Sequence, residues 1–251
     1  MFEELTRKKF DVLPLHHAEA ILKHDMPQAI ADIEAVLNGL EVPIEELVRS
    51  GGGEALLTQR NRRLLAELGW RKQNVTVNKF VAFSGDDEAQ KREPSQSLSH
   101  EIDHVKVFEA GVFALEIEWN NKDPFFDRDL ESFKRLHAEG AISIGCIITR
   151  GQSLQANIRN LLRSFTTRES ITKFDDLEPY DYAPTRRQRN LIEQRTARGA
   201  SFADAWVEVF ASDKFGEATT HWRKLKDRVE RGVGNPCPLL LIGIPDGVVK
   251  V

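Results

Sequence analysis

Cysteine is nearly absent from this 251-residue chain: Cys146 and Cys237 are the only two, and no Cys-x-x-Cys or mixed Cys/His spacing occurs. That excludes a disulfide framework and a zinc site built on the usual spacings, and leaves both thiols as reduced packing residues. Long apolar runs are lacking too. The longest clear one, Pro238 to Ile244, falls far short of the ~20 residues a membrane-crossing helix needs, so no transmembrane segment is expected. The N-terminus, Met1-Phe-Glu-Glu-Leu-Thr-Arg, begins with acids and has no basic stretch leading into an apolar one. It does not read as a secretory signal, and a cytoplasmic address is expected. There is no basic surplus either: the net charge of −4 argues against a protein that coats nucleic acid without specificity, which needs concentrated Lys and Arg. No internal repeat or low-complexity tract is present.

What remains is an ordinary globular composition, 41% hydrophobic and 29% charged, of a length that suits one enzyme-sized domain over 1–251. Three subregions follow from the hydrophobic pattern. Residues 1–72 have helical spacing, with Ala18, Ile21, Leu22, Ile30, Ile33, Val36, Leu37 and Leu40 in period, interrupted at Pro27 and at Ser50-Gly51-Gly52-Gly53 and resumed from Leu56 to Leu68. Residues 73–150 turn to alternation. A strand is expected around Val75, Val77 and Phe80 to Phe83, an exposed loop from Ser84 to Ser97, then two strands about the turn Glu109-Ala110-Gly111, the second running from Val112 to Trp119. A helix from Phe125 to Leu136, a stop at Gly140 and a buried strand from Ala141 to Thr149 complete this part. Residues 151–251 read as helices Leu154–Phe165, Arg186–Arg198, Phe202–Phe210 and Glu217–Arg231, with a last strand Leu239–Ile244. The fold class expected is α/β, a central mixed sheet flanked by helices.

The chemistry-bearing feature is acidic. Glu116 and Glu118 lie two apart in a strand and share a face, while Leu115, Ile117 and Trp119 share the other. If the turn is the two residues Glu109-Ala110, Phe108 pairs with Gly111 and Asp103 falls beside Glu116; a three-residue turn shifts the register by one but keeps the acids close. Such carboxylates repel one another unless a cation or bound protons offset them, and hard divalent ions suit oxygen ligands, magnesium above all. Asp103 and Glu116 are the expected metal ligands, with the backbone carbonyl of Ile117 between the glutamates, and Glu118 orients the attacking water or binds a second metal. Against this stands a plainer reading: alternating acids are also what the solvated face of a sheet presents.

The stretch His100-Glu-Ile-Asp-His-Val-Lys, followed by Ala114-Leu-Glu-Ile-Glu-Trp-Asn-Asn-Lys-Asp-Pro-Phe-Phe-Asp-Arg-Asp-Leu, resembles the core of the BglII-type restriction endonucleases, within the PD-(D/E)xK nuclease superfamily. The specific part runs from about Glu101 to Arg150. The resemblance implies a restriction-endonuclease-like core, with a helical N-terminal region and a helical C-terminal half used for DNA binding and dimerisation. It further implies a magnesium-dependent type II endonuclease, a homodimer, cutting double-stranded DNA at a short palindromic site containing GATC. It puts the motif's first acid on Asp103 and its second on Glu116. Ile102 stands where the motif has proline, and Glu118 stands where it usually has lysine, which removes a positive charge near the attacking water. Lys122 is a candidate replacement if the strand continues that far, and Glu67 a candidate helical acid. Rival readings are a related nuclease without palindromic preference and a noncatalytic DNA-binding protein.

Local charge supplies the DNA-binding candidates. Residues 149–173 and 186–198 each carry a net charge of +4, and Arg223, Lys224, Lys226, Arg228 and Arg231 mark a third basic stretch. Arginine suits guanine and asparagine adenine, which makes Arg150, Gln152, Asn157 and Arg159 candidates for base contacts and Arg186 and Arg187 for phosphate. Each stretch also fits a solvated helix face.

Overall fold

The structure, a computed structural model, describes residues 1–80 and 96–251. In chain order the elements are α1 (Glu3–Arg7), β1 (Asp11–Leu15), α2 (Ala18–Ala20), α3 (Pro27–Asn38), β2 (Val42–Pro43), α4 (Ile44–Val48), α5 (Leu56–Glu67), β3 (Arg71–Lys79), β4 (Gln96–Phe108) and β5 (Gly111–Glu118). They continue as α6 (Phe125–Ala138), β6 (Ile144–Arg150), α7 (Gln152–Arg168), α8 (Arg186–Ala197), α9 (Phe202–Lys214), α10 (Trp222–Glu230), β7 (Leu239–Ile244) and β8 (Val249–Lys250).

Six strands form one mixed sheet in the order β1-β7-β6-β5-β4-β3. Its middle is parallel, β5 with β6 and β6 with β7, and its flanks are antiparallel. Parallel neighbours need a crossover: α6 supplies the first and the α7–α10 segment the second. Every residue of β6 and β7 is buried, the condition of strands covered on both faces. One face of the sheet packs Phe113, Leu115, Ile117, Ile148 and Ile242 against the helices of the N-terminal region and of α7 and α9. The other packs Ala114, Ile147 and Leu241 against Phe126, Leu130 and Phe133 of α6 and Trp222 and Leu225 of α10. The mixed sheet flanked by helices is thus the architecture expected.

Three expectations need correction. The N-terminal seventy residues are not all helical: Asp11–Leu15 form an edge strand on β7, and Pro14 is tolerated because an edge position spares one ladder bond. The strand holding Asp103 begins at Gln96, inside the stretch expected as a loop, and pairs with β3 from Arg71↔Val105 to Lys79↔Gln96. Most of the loop expected at Ser84 to Ser97, and residues 81–83 of the strand before it, lie outside the described residues. The last helix starts at Trp222, not Glu217. The break at Pro27 is real: a π-helical turn, Ile21–Asp25, ends there and Pro27 opens α3 at a position where its missing N–H costs nothing.

Buried ion pairs fix the helices to this frame. Asp32 of α3 is 2% exposed and accepts from Trp70 Nε1 at 2.9 Å, Gln28 Nε2 at 2.9 Å and Lys106 Nζ at 2.5 Å, so no acceptor is left unmet. Arg228 of α10 donates to Asp127 at 2.9 Å and Asp123 at 3.2 Å, joining α10 to α6. That basic residue packs the helix rather than facing solvent. Among the described residues no helix is long and apolar enough to cross a membrane.

Candidate active site

The hairpin of β4 and β5 sets the site. Its pairs run from Phe108↔Gly111 to His104↔Leu115, the register of the two-residue turn. Gly111 has a φ of +147°, and a Cβ there would stand 2.0 Å from Ser143 Oγ, so the turn admits only glycine. One step further along this register Asp103 meets Glu116, and the Asp103 backbone N–H donates to Glu116 Oε1 at 3.4 Å.

On its other edge β4 slips. Between Arg71↔Val105 and Gln73↔Ile102 two residues of β4, Asp103 and His104, oppose the single residue Lys72 of β3. This is a β-bulge, which bends a strand and re-aims its side chains. Asp103 is 51% exposed and lies 3.6 Å from Lys72 Nζ. His104 is buried and donates from Nδ1 to the Leu115 carbonyl at 3.2 Å. Asp103, Ile117, Lys72, Arg49, Arg62 and Lys214 share the wall of a cavity of about 710 Å³ beside the end of β5.

Glu116 and Glu118 face α6, and they are not a solvated face: their exposures are 5% and 3%. Asn121 Nδ2 donates to Glu118 Oε2 at 2.5 Å and Arg128 Nη2 to Oε1 at 3.4 Å. A further acid of α6, Asp129, completes the group. It is 3% exposed, pairs with Arg128 at 2.7 Å, and its Oδ2 has no hydrogen-bond donor among the described residues. Burial, then the charges of Asp129, Asp103 and Glu118, push the Glu116 carboxyl well above the usual carboxylate range. Burial followed by Asp129 pushes Glu118 up to about 8. Asp129 is raised by burial, with Arg128 offsetting part of the effect. The sequence held one signal for Asp129: an acid inside the apolar stripe Phe126, Leu130, Phe133.

Among the described residues no three His, Cys, Asp or Glu side chains converge closely enough to form a metal cage. The donor set nonetheless fits a hard divalent cation. Asp103 and Glu116 offer carboxylate oxygens from adjoining strands, the Ile117 carbonyl lies beyond the last β4–β5 pair, and the raised Glu116 marks negative charge that a cation would offset. Magnesium keeps several waters of its own, so a small protein share suffices. Glu67 lies on α5 outside the residues lining the cavity.

The expected DNA contacts divide. Arg150 is wholly buried: Nη1 donates to Asn120 Oδ1 at 2.9 Å, and Nη2 to Thr219 Oγ1 and the Thr220 carbonyl, both at 2.7 Å. Among the described residues no carboxylate pairs with it, and burial brings it down to about 9. The guanidinium ties two loops together and has no surface from which to touch a base. Lys122 is exposed but bridges to Thr219 after β5 has ended at Glu118, so it does not continue the acidic face. Gln152 opens α7 with its N–H on Asp11 Oδ2 at 2.7 Å, and Asn157 donates to Asp246 at 2.9 Å. Arg159 pairs with Glu208 at 3.1 Å and Arg187 with Asp213 at 2.9 Å, so acids of α9 offset part of both basic stretches. Arg186 is exposed at the start of α8. The cations lining the cavity, Arg49, Arg62 and Lys72 from one stretch of chain and Lys214 from the end of α9, were not foreseen.

Two comparisons with known proteins bear on these arrangements. No curated protein matches the chain. A family model described as restriction endonuclease BglII/BglIII matches residues 10–244.

Proposed function

The chain belongs to the BglII/BglIII restriction endonuclease family, and from that footing we propose that it is a magnesium-dependent type II enzyme hydrolysing double-stranded DNA at a short palindromic site. GATC is the sequence the family suggests within that site. The restriction-endonuclease-like sheet and the family match make the protein a DNA-binding nuclease; the metal, the site and the dimer are the finer reading. The observation that carries it is the pair Asp103 and Glu116, side by side on adjoining strands within the matched span.

Asp103, Glu116 and the Ile117 carbonyl would hold the cation. When bound, magnesium supplies Lewis-acid polarisation of a nonbridging phosphate oxygen and a lower pKa for the attacking water. Glu118, steadied by Asn121 and Arg128, titrates near 8 in the metal-free protein and so sits close to neutrality. A cation bound beside it would favour the ionised carboxylate, which would orient that water and take up its proton as the water oxygen bonds to phosphorus and one ester P–O bond breaks. DNA phosphates approach across the cavity, whose wall carries Arg49 and Arg62. Arg186 and Arg159 are the outer phosphate and base candidates, joined by Gln152, Asn157, Arg187 and Lys122 where DNA displaces their present partners. A two-fold dimer presents two such centres to the two strands of a palindrome, and the enzyme acts on DNA in the cytoplasm.

The test is to incubate the purified protein with phage DNA and magnesium and to sequence the fragment ends. Discrete fragments sharing a terminal sequence support the reading. Undigested or randomly degraded DNA overturns it.

A further inference from the structure

The buried carboxyls Glu116, Glu118 and Asp129 lie together beside the more exposed Asp103, and a phosphodiester adds another negative charge. A cation of the chain set close to Asp103 would offset part of that charge where the phosphate arrives. Arg128 is engaged by Glu118 and Asp129 and lies over the Phe125 ring at 4.4 Å. Lys214 donates to the backbone carbonyls of Leu47 and Arg49. Arg150 is sealed inside the fold. Arg49 pairs with Asp181 and Arg62 with Glu54. Lys72 differs from these in lying against Asp103 itself.

Lys72 stands opposite the bulge that turns Asp103 aside, and both line the cavity. Its Nζ lies 2.7 Å from Glu101 Oε1 and 3.6 Å from Asp103 Oδ1. An ammonium has three donors; Glu101 takes one, and the Asp103 separation exceeds a hydrogen bond. The three side chains are 55%, 65% and 51% exposed. Exposed pairs of this kind add little to stability, so holding the fold together does not account for the placement.

We propose that Lys72 is a catalytic residue of DNA cleavage, anchored by Glu101 and donating to a nonbridging oxygen of the scissile phosphate beside Asp103. This rests on the nuclease reading above. The role is electrostatic: Lys72 keeps its protons while the water oxygen–phosphorus bond forms and the ester bond breaks. Glu101 is a positioning residue that keeps the ammonium at the cavity wall.

Lys72→Met and Lys72→Arg are compared with the wild-type protein on a DNA it cuts, in single-turnover cleavage at saturating magnesium. DNA affinity is read in calcium, magnesium affinity by calorimetry, and folding by thermal melting. Loss of one charge-stabilising donor lowers the cleavage rate about 100-fold for Lys72→Met. Its DNA affinity should stay within about threefold and magnesium binding should be unchanged or tighter, since one phosphate contact among many is lost and a competing cation is gone. Lys72→Arg should recover most of the rate. Cleavage by Lys72→Met within about threefold of wild type overturns the proposal, as does a fall in DNA affinity that accounts for the whole rate loss. A wild-type protein that cuts no DNA overturns the nuclease reading, and this proposal with it.

Discussion

Replacing Glu118 by glutamine should make the metal-free protein more stable at neutral pH, by an amount the site's electrostatics set. The carboxyl is 3% exposed, and burial with Asp129 alongside moves it from an ordinary value of 4.5 to about 8. The folded protein therefore keeps a proton that the unfolded chain releases. Stability from this group is fully present below pH 4.5 and is lost as pH rises toward 8, at about 1.4 kcal/mol per pH unit. By pH 7 the loss reaches about 3 kcal/mol. Glutamine keeps an oxygen for Asn121 and carries no charge to desolvate, so it escapes this loss. Urea denaturation in EDTA from pH 5 to 8 should show the stability of Glu118→Gln relative to wild type rising by about 3 kcal/mol between pH 5 and pH 7.5. A variant less stable than wild type at pH 7.5, or offset equally at both ends of the range, would refute the claim that a buried, destabilised carboxyl occupies this position.

Two further substitutions probe the frame around the site. Gly145→Ala would put a Cβ 2.5 Å from Phe133 Cδ2 where β6 meets α6; an overpacking loss of about 2 kcal/mol should appear in the urea midpoint, and unchanged stability would contradict the packing. Arg150→Met would leave Asn120, Thr219 and the Thr220 carbonyl without their donor, lowering stability by about 2–4 kcal/mol without altering the sequence cut. A changed cleavage sequence would restore Arg150 as a base-reading residue.

The hairpin and its acids were legible because period and turn are local: alternation assigns Glu116 and Glu118 to one face, and the turn length brings Asp103 to Glu116. The burial of that face was not legible. It depends on α6, whose stripe lays Asp129 and Arg128 over the glutamates, and an acid in an apolar stripe reads as a surface residue unless its partner is known. Strand β1 was missed because Asp11–Leu15 is half-buried at every position and acquires strand identity from β7, more than two hundred residues on. The early start of β4 escaped notice because Ser97, Ser99 and His100 pair through backbone bonds with little apolar surface. Arg150 read as a DNA contact because it ends a strand and opens a basic stretch; only the loops at Asn120 and Thr219, folding over it, make it internal. Lys72 depends on a one-residue slip in pairing, which no periodicity announces.

The most direct test of the two-carboxylate centre compares wild type with Asp103→Ala and Glu116→Ala in two readings, cleavage of phage DNA in magnesium and retention of the same DNA in calcium. Both variants should lose cutting to background while still binding DNA. Normal cleavage by either one would contradict the assignment of these neighbouring acids as the metal-holding pair.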